Sequence, residues 1–176
     1  MKKMNGNVKS VIVLTVICLV VTALLALTNH FTAPVIKTAR DKKIEDSLKT
    51  VIPEMYSIRD AEIPEGASKT IKNIYIINDD LYAVVLATTS AYSSGDMGVT
   101  VGINAEGEVI GVTLTSYFES KDFGKETYPQ NYIGKTLDDY ADVDTFSGVT
   151  YSSKAFRNAI GDALRAIKLL KGGEGN

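Results

Sequence analysis

A long uncharged, apolar stretch near the N-terminus limits what this chain can fold into more than any other feature. Residues 10–29 carry no charge, and residues 11–27 are apolar except for Thr15 and Thr22. About twenty helical residues span roughly 30 Å, which is the thickness of the hydrocarbon core of a bilayer. The sequence therefore predicts a transmembrane helix over residues 10–30.

A cleaved signal peptide is the alternative interpretation of this stretch, because Lys2, Lys3 and Lys9 give it a basic leading segment. A retained anchor is favoured, since the uncharged stretch is long and no small-x-small cleavage site follows it. Ile17 stands before Cys18, whereas a lipoprotein signal has a small residue at that position.

The orientation of the helix follows less directly from charge, because basic residues lie on both sides of the apolar stretch. Charge bias acts mainly through short loops, and a folded domain can cross a membrane regardless of its charge. We expect residues 1–9 to form a short cytoplasmic N-terminus and the helix to cross the cell (inner) membrane once. The domain that follows is then on the extracytoplasmic side.

Charge and side-chain inventory exclude several classes of function. Every acidic residue lies at or after Asp41, so the chain beyond the apolar stretch is net negative and no nucleic-acid partner is expected. Cys18 and His30 are the only cysteine and the only histidine. A disulfide within the domain, a cysteine or histidine zinc site and a Ser-His-Asp triad are therefore excluded. We predict neither a metal site nor a catalytic residue.

A second helix is expected to follow the membrane helix. Pro34 suits the first turn of a helix and Pro53 ends one, so residues 31–53 are predicted to form a juxtamembrane helix. Residues 54–69 contain Pro64 and Gly66 and are expected to be loop.

Residues 54–176 are predicted to form one α+β domain. Segments rich in Ile, Val, Tyr and Thr predict strands at residues 70–77, 81–89, 99–103 and 109–115. Asn78-Asp79-Asp80 and Asn104-Ala105-Glu106-Gly107 have the composition of hairpin turns, so the strands are expected to form an antiparallel sheet. Residues 117–140 are polar and interrupted by glycines and a proline, which predicts a long loop with short helical turns.

A hydroxyl-rich turn precedes a C-terminal amphipathic helix. Apolar residues recur there at the spacing of one buried helical face: Ala155, Phe156, Ala159, Ile160, Ala163, Leu164, Ile167 and Leu170. Ser152 or Ser153 is expected to be the N-cap. The first amides of a helix lack backbone partners and lie at the positive end of its dipole, so they can hold a phosphate near the hydroxyl of Thr150.

Without any comparison to a family, the same turn can be interpreted as an ordinary loop and helix cap.

Gly134-Lys135-Thr136 is similar to the end of a phosphate-binding P-loop, but Pro129 stands where that motif has glycine. No strand is expected to run into that segment, so a nucleoside triphosphate site is not predicted.

Asp144-x-x-Ser147-Gly148-Val149-Thr150 resembles the signature Asp-x-x-[Ser/Thr]-Gly-Ala-[Thr/Ser] of FMN-binding domains. In that family a flavin transferase links FMN through its phosphate to the last hydroxyl. The order of segments is similar too: a membrane helix, a sheet with a glycine-flanked hairpin, a loop, the signature and a C-terminal helix. Nearly the whole chain thus resembles the G-subunit family of Rnf-type ion-translocating electron transport complexes, a relative of the C subunit of the sodium-pumping NADH:quinone reductase.

The resemblance implies a role for each residue of the signature. Thr150 is the covalent attachment residue for FMN, and Asp144, Ser147, Gly148 and Thr150 form the recognition sequence of the transferase. Further FMN contacts are implied for Ser147, Gly148, Val149, Tyr151, Ser152, Ser153, Lys154 and Glu119. Val149 stands where the family usually has alanine, and the loop around Glu119 keeps only part of the family's sequence.

Electron relay is the function that the resemblance implies. A membrane-anchored flavoprotein of this kind passes electrons between neighbouring membrane subunits of an Rnf-like complex, which couples electron transfer to Na⁺ or H⁺ translocation, and it does not catalyse a reaction alone. The chain has neither a dinucleotide fingerprint nor the cysteines of an iron–sulfur cluster. Two alternatives stay open: a membrane-tethered binding or assembly module without redox activity, and an FMN domain of another membrane reductase system.

Overall fold

The computed structural model describes residues 6–89, 96–116 and 127–173 of this 176-residue chain. The chain divides into two compact units, Met1–Lys42 and Lys43–Asn176. Its main elements are an N-terminal apolar helix, a five-stranded antiparallel sheet and a C-terminal helix. The predicted α+β fold class is confirmed.

The first unit contains the apolar part of helix α1 (Gly6–Val51). Its large apolar side chains between residues 11 and 27 are 47% to 66% exposed. Thr15, Thr22 and Thr28 each donate a side-chain hydrogen bond to the carbonyl four residues earlier, so their hydroxyls need no water. Exposed apolar surface with internally satisfied polar groups is what a bilayer requires. By length and composition, this helix can span a membrane.

Helix α1 differs from the sequence prediction at Pro34. The structure has one continuous helix in place of a membrane helix that ends near residue 30 and a second helix over residues 31–53. A proline inside a helix removes one backbone donor, at a cost of about 3 kcal/mol, while the flanking turns keep their own hydrogen bonds. The second compact unit begins at Lys43, so the last turns of α1 belong to it.

The second unit is built on a sheet in which each strand pairs antiparallel with the next along the chain. Its strands are β1 (Ile58–Ala61), β2 (Ile71–Ile77), β3 (Leu81–Thr89), β4 (Asp96–Ile103) and β5 (Val109–Ser116). The four strands predicted from the sequence are confirmed as β2 to β5.

Strand β1 lies in residues 54–69, and the prediction of loop is wrong there. The strand has only four residues, mostly exposed, without alternation of buried and exposed positions. The side chain of Asn78 reinforces this edge of the sheet, because it accepts from the amides of Tyr56 and Ser57 and donates to the carbonyl of Glu54. These contacts join residues far apart in the sequence, so no local pattern indicates the strand.

Both predicted hairpin turns are present. Asn78 and Asp79 have φ angles of 54° and 71°, in the left-handed region that these two residue types tolerate. Gly107 has a φ of 88°, and its amide donates to the carbonyl of Asn104. The turns set the register that sends alternate side chains to the two faces of the sheet.

Helices cover both faces of this sheet. Phe156 of helix α2 (Thr150–Gly173) belongs to the same buried cluster as Val84 of β3. Val51, at the end of α1, belongs to a second cluster with Ala83. Adjacent residues of a strand point to opposite faces, so α2 and the last turns of α1 lie on opposite sides of the sheet.

A pair of glycines lets α1 approach the sheet closely. Gly102 of β4 and Gly111 of β5 are cross-strand partners. A Cβ at Gly111 would lie 2.8 Å from the Cα of Val51, and one at Gly102 would lie 3.2 Å from the Val51 carbonyl oxygen. Beside this contact, the hydroxyls of Ser47 and Thr100 form a buried hydrogen bond of 3.0 Å. The end of α1 therefore lies directly against the backbone of the sheet.

We expect Gly111→Ala to destabilise the chain by about 1–3 kcal/mol, because the added Cβ has no space against the Val51 backbone. Chemical denaturation of the full-length chain in detergent measures this free energy of unfolding. Gly172→Ala is the matched control, since nothing lies within 4 Å of a Cβ there and alanine is the better helix residue. Equal stability of the two variants would contradict the close packing of α1.

Candidate functional site

The hydroxyl-rich turn leads into α2, which begins at Thr150. The amide of Ser153 donates to the carbonyl of Val149, so Val149 is the residue that precedes the first turn. The expected N-cap at Ser152 or Ser153 is therefore wrong, and both serines are buried inside the first turn. The Ser153 hydroxyl lies 3.0 Å from the carbonyl oxygen of Val149, a backward contact typical of a serine already within a helix.

Gly148 makes the turn before the helix. Its φ is 84°, and the amide of Val149 donates to the carbonyl of Phe146, which closes a four-residue turn. A positive φ at the third position is that of a type II turn and favours glycine. Val149 is partly buried and packs against the core, so the core takes up the two methyl groups that alanine would lack.

Six predicted site residues are exposed around this turn: Asp144, Ser147, Gly148, Thr150, Tyr151 and Lys154. Tyr151 is 70% exposed, so its ring lies outside the core. The N-terminal end of a helix carries partial positive charge, and the ammonium group of Lys154 adds a full charge close to it. A phosphate on the hydroxyl of Thr150 would be stabilised by both.

An open groove of about 500 Å³ lies beside the turn. It is lined by Tyr128, Asn131, Lys135, Asp142, Val143, Asp144, Thr145, Phe146 and Ser147. Thr150 follows Ser147 by three residues, so their Cα atoms are at most roughly 11 Å apart. Ligand sites commonly have volumes of this order, with apolar walls and a few polar groups. The groove is thus within reach of a group attached to Thr150.

Aromatic packing anchors the turn to the core. The ring of Phe146 packs edge-on against Tyr128, with 5.6 Å between the ring centroids. Tyr128 in turn contacts the buried rings of Tyr132 and Phe156. Burial raises the pKa of Tyr132 well above its usual range, and the hydrogen bond with Tyr128 adds to this effect. The backbone amide of Phe146 donates to the hydroxyl of Ser153, so Ser153 shapes the turn from the helix side.

One stripe of α2, formed by Arg157, Gly161 and Arg165, contacts the segment just before the signature and holds it in place. Arg157 donates to the carbonyls of Ala141 and Val143, each at 3.2 Å. Tyr140 begins the 3₁₀ turn Tyr140–Asp142 and lies against Gly161, where a Cβ would be 2.6 Å from the tyrosine hydroxyl oxygen. Arg165 donates to the same hydroxyl at 3.1 Å. These supports were missed from the sequence, where their only signal is the four-residue spacing of positions 157, 161 and 165.

Glu119 lies outside the described residues, as do residues 117–126 as a whole. In the part of the long loop that the structure describes, Pro129–Tyr132 forms a short 3₁₀ helix, which agrees with the predicted helical turns. The described residues contain no group of three or more His, Cys, Asp or Glu side chains that could hold a metal ion.

Comparison with known proteins finds one family model for the N-terminal part of the chain and another for the C-terminal part. The RnfG N-terminal region matches residues 1–51, and the FMN-binding domain matches residues 93–165, so the two matches together cover well over half of the chain. The chain belongs to the RnfG family. The turn before Thr150, the groove and the supporting stripe of α2 all lie within its FMN-binding domain.

Relatives named as the G subunit of an ion-translocating oxidoreductase complex match along most of their length. The G subunit of Shewanella oneidensis is 25% identical over 91% of this chain and 89% of its own. That of Pseudomonas aeruginosa is 25% identical over 92% of this chain and 88% of its own. That of Shewanella loihica is 27% identical over 87% of this chain and 85% of its own. The chain thus aligns along most of the length of these subunits.

Asp162 forms an ion pair with Arg165, the residue that donates to Tyr140, and the charge of its carboxyl depends on pH. Burial would raise the pKa of its carboxyl, but hydrogen bonds from Arg165, Ser68 and Thr70 outweigh burial and hold the pKa below its usual value. A carboxylate of this kind stabilises the fold above its unfolded pKa and loses this contribution as the pH falls through its folded pKa.

We therefore expect Asp162→Asn to be less stable than the parent at neutral pH, and the difference to shrink as the pH falls below about 4. Denaturation of both chains at a series of pH values measures the two free energies of unfolding. A difference that stays constant from pH 7 to pH 3 would show that the charge of Asp162 does not support the fold.

Proposed function

We propose that this chain is the FMN-carrying G subunit of a membrane-bound, ion-translocating oxidoreductase complex, with FMN attached covalently to Thr150. The FMN-binding domain and the names of the relatives support the cofactor and the complex. The observation that carries the attachment site is the exposure of Thr150 at the start of α2, two residues after a glycine with positive φ.

Attachment forms a phosphoester between the Oγ1 of Thr150 and the phosphorus of FMN. The hydroxyl loses its proton and a flavin pyrophosphate donor releases a nucleoside monophosphate, so the transfer involves no oxidation or reduction. A flavin transferase has to bring this donor against the turn. Asp144, Ser147, Gly148 and Thr150, which the transferase would recognise, are all exposed.

Positive charge at the start of α2 suits the attached phosphate. The amides of Thr150 and Tyr151, the first two residues of α2, lie at the positive end of the helix dipole, one turn before the Ser153 amide that donates to the carbonyl of Val149. Lys154 lies one turn further along the helix and is exposed. Its ammonium group can therefore reach towards the phosphate and stabilise it.

The groove beside Ser147 suits the isoalloxazine ring. Tyr128 and Phe146 supply aromatic walls, and the side-chain amide of Asn131 supplies a donor and an acceptor that match the polar edge of a flavin. FMN supplies the electron-transfer chemistry, while the protein positions the ring and sets its potential. A tethered flavin cannot diffuse away, which suits relay between neighbouring subunits.

We also propose how the chain is arranged in the membrane. The N-terminus lies in the cytoplasm, α1 crosses the membrane once, and the FMN domain is extracytoplasmic. The partners are other membrane subunits of the complex and, during maturation, the flavin transferase. Electron transfer through them is coupled to Na⁺ or H⁺ translocation, and this chain catalyses no reaction alone. The exposed apolar side chains of α1 support the anchor.

Thr150→Ala is expected to abolish covalent flavin, because the variant has no hydroxyl to carry the phosphoester. The full-length parent and the variant are co-expressed with a flavin transferase and compared on a denaturing gel under ultraviolet light. Thr150→Ser should keep its fluorescence, as should Thr145→Ala, which removes the other threonine of this turn. A dark parent band would refute covalent attachment, and a fluorescent Thr150→Ala band would mean another attachment residue.

Gly148→Val is expected to lower the rate of flavin labelling about 5- to 30-fold. A side chain at the positive φ of Gly148 costs about 1–2 kcal/mol, so a smaller fraction of the molecules has the turn that the transferase recognises. The labelled fraction is followed on the same gel over time. Gly66→Val is the matched control, since Gly66 has a φ of 86° with nothing within 4 Å of a Cβ. Equal loss of labelling in both variants would point to general destabilisation and not to the turn.

A further inference from the structure

The groove beside the signature contains one cationic group among the described residues that line it. Lys135 supplies this positive charge, and Asp142 and Asp144, which also line the groove, supply negative charges. A flavin gains negative charge when it is reduced, so a nearby cation stabilises its reduced form and nearby carboxylates destabilise it. Lys135 therefore offsets an otherwise acidic environment.

The backbone around Lys135 is fixed to the edge of the sheet. The amide of Gly134 donates to the carbonyl of Val109 at 2.7 Å, and the amide of Val109 donates to the carbonyl of Lys135 at 2.9 Å. Lys135 also donates its own amide to the carbonyl of Tyr132, a fully buried residue. A group held in this way keeps its position relative to the groove.

The side chain of Lys135 is fixed as well. Its ammonium group donates to the carboxylate of Asp139 at 3.0 Å, while the other carboxylate oxygen accepts from the amide and the hydroxyl of Thr136. The hydrogen bond from the Thr136 amide, followed by that from Lys135, lowers the pKa of Asp139 to about 2. Asp139 is therefore ionised at neutral pH, and its carboxylate holds the ammonium group of Lys135 in place.

We propose that Lys135 is a positioning residue for electron transfer: its anchored charge beside the groove raises the reduction potential of the FMN. This inference rests on the proposed function, in which FMN is attached to Thr150 and its ring occupies the groove. A unit charge about 10 Å away, in a medium of effective dielectric constant about 40, changes the ratio of reduced to oxidised flavin about fourfold.

Removing either charge of the pair Lys135–Asp139 distinguishes an electrostatic effect on the flavin from a structural one, because the two charges have opposite sign. Lys135→Gln removes the positive charge and should lower the ratio of reduced to oxidised FMN at a fixed potential about fourfold. Asp139→Asn removes the negative charge, can still accept from Thr136, and should raise that ratio. The double variant should return close to the parent, and Lys135→Arg should stay close to it. The measurement is a spectroelectrochemical titration of the full-length, flavin-labelled chain in detergent.

A matched ion pair on the opposite side of the sheet serves as the control. Lys49 and Glu45, four residues apart in α1 like Lys135 and Asp139 in their own segment, form an exposed ion pair of 2.6 Å. Lys49→Gln and Glu45→Gln should leave the potential unchanged.

The outcomes separate this inference from the proposed function. A fluorescent parent whose potential does not shift in Lys135→Gln overturns the role of Lys135 and leaves the attachment intact. Shifts in the same direction for Lys135→Gln and Asp139→Asn overturn it as well, because they indicate a change of structure. A dark parent band overturns the attachment and, with it, any role of Lys135 towards FMN.

Discussion

Both faces of one meandering sheet have to be buried, and two helices from opposite ends of the chain do this. In β3, Val84 belongs to the core under α2, whereas Ala83 belongs to the cluster under the end of α1. Neither helix can be removed without exposing an apolar face. The glycine pair Gly102 and Gly111 brings α1 into backbone contact with the sheet, so the last turns of the N-terminal helix are part of the core of the domain.

The candidate site depends on this arrangement because its parts are held by α2 and by the edge of the sheet. Phe146 enters the aromatic cluster, the Ser153 hydroxyl accepts the amide of Phe146, and Arg157 holds the backbone before the signature. Lys135 is fixed by its backbone to β5. Thr150 is exposed next to a turn that these contacts hold against the core, which suits the attachment proposed for it.

Local patterns in the sequence were sufficient for most of the fold. The spacing of apolar residues from Ala155 to Leu170 predicted α2, and the two hairpin turns predicted antiparallel pairing. Two of the errors arise where contacts outside the local segment outweighed local signals, and the third, at Pro34, lies within a continuous helix. Asn78 stabilises the unpredicted strand β1 across the sheet, the Ser153 hydroxyl turns inward from the first turn of α2 where an N-cap was expected, and α1 continues through Pro34.

The sequence by itself determined the apolar helix and the α+β class, because these depend on composition and on spacing within short segments. The resemblance of residues 144–150 to the signature of FMN-binding domains indicated Thr150 as the candidate attachment residue. Only the tertiary structure decided that Gly148 has a positive φ, that Val149 packs into the core, and that Lys135 lines the groove next to Ser147. Backbone angles and neighbours distant in sequence follow from packing of the whole domain, and no short stretch of sequence contains that information.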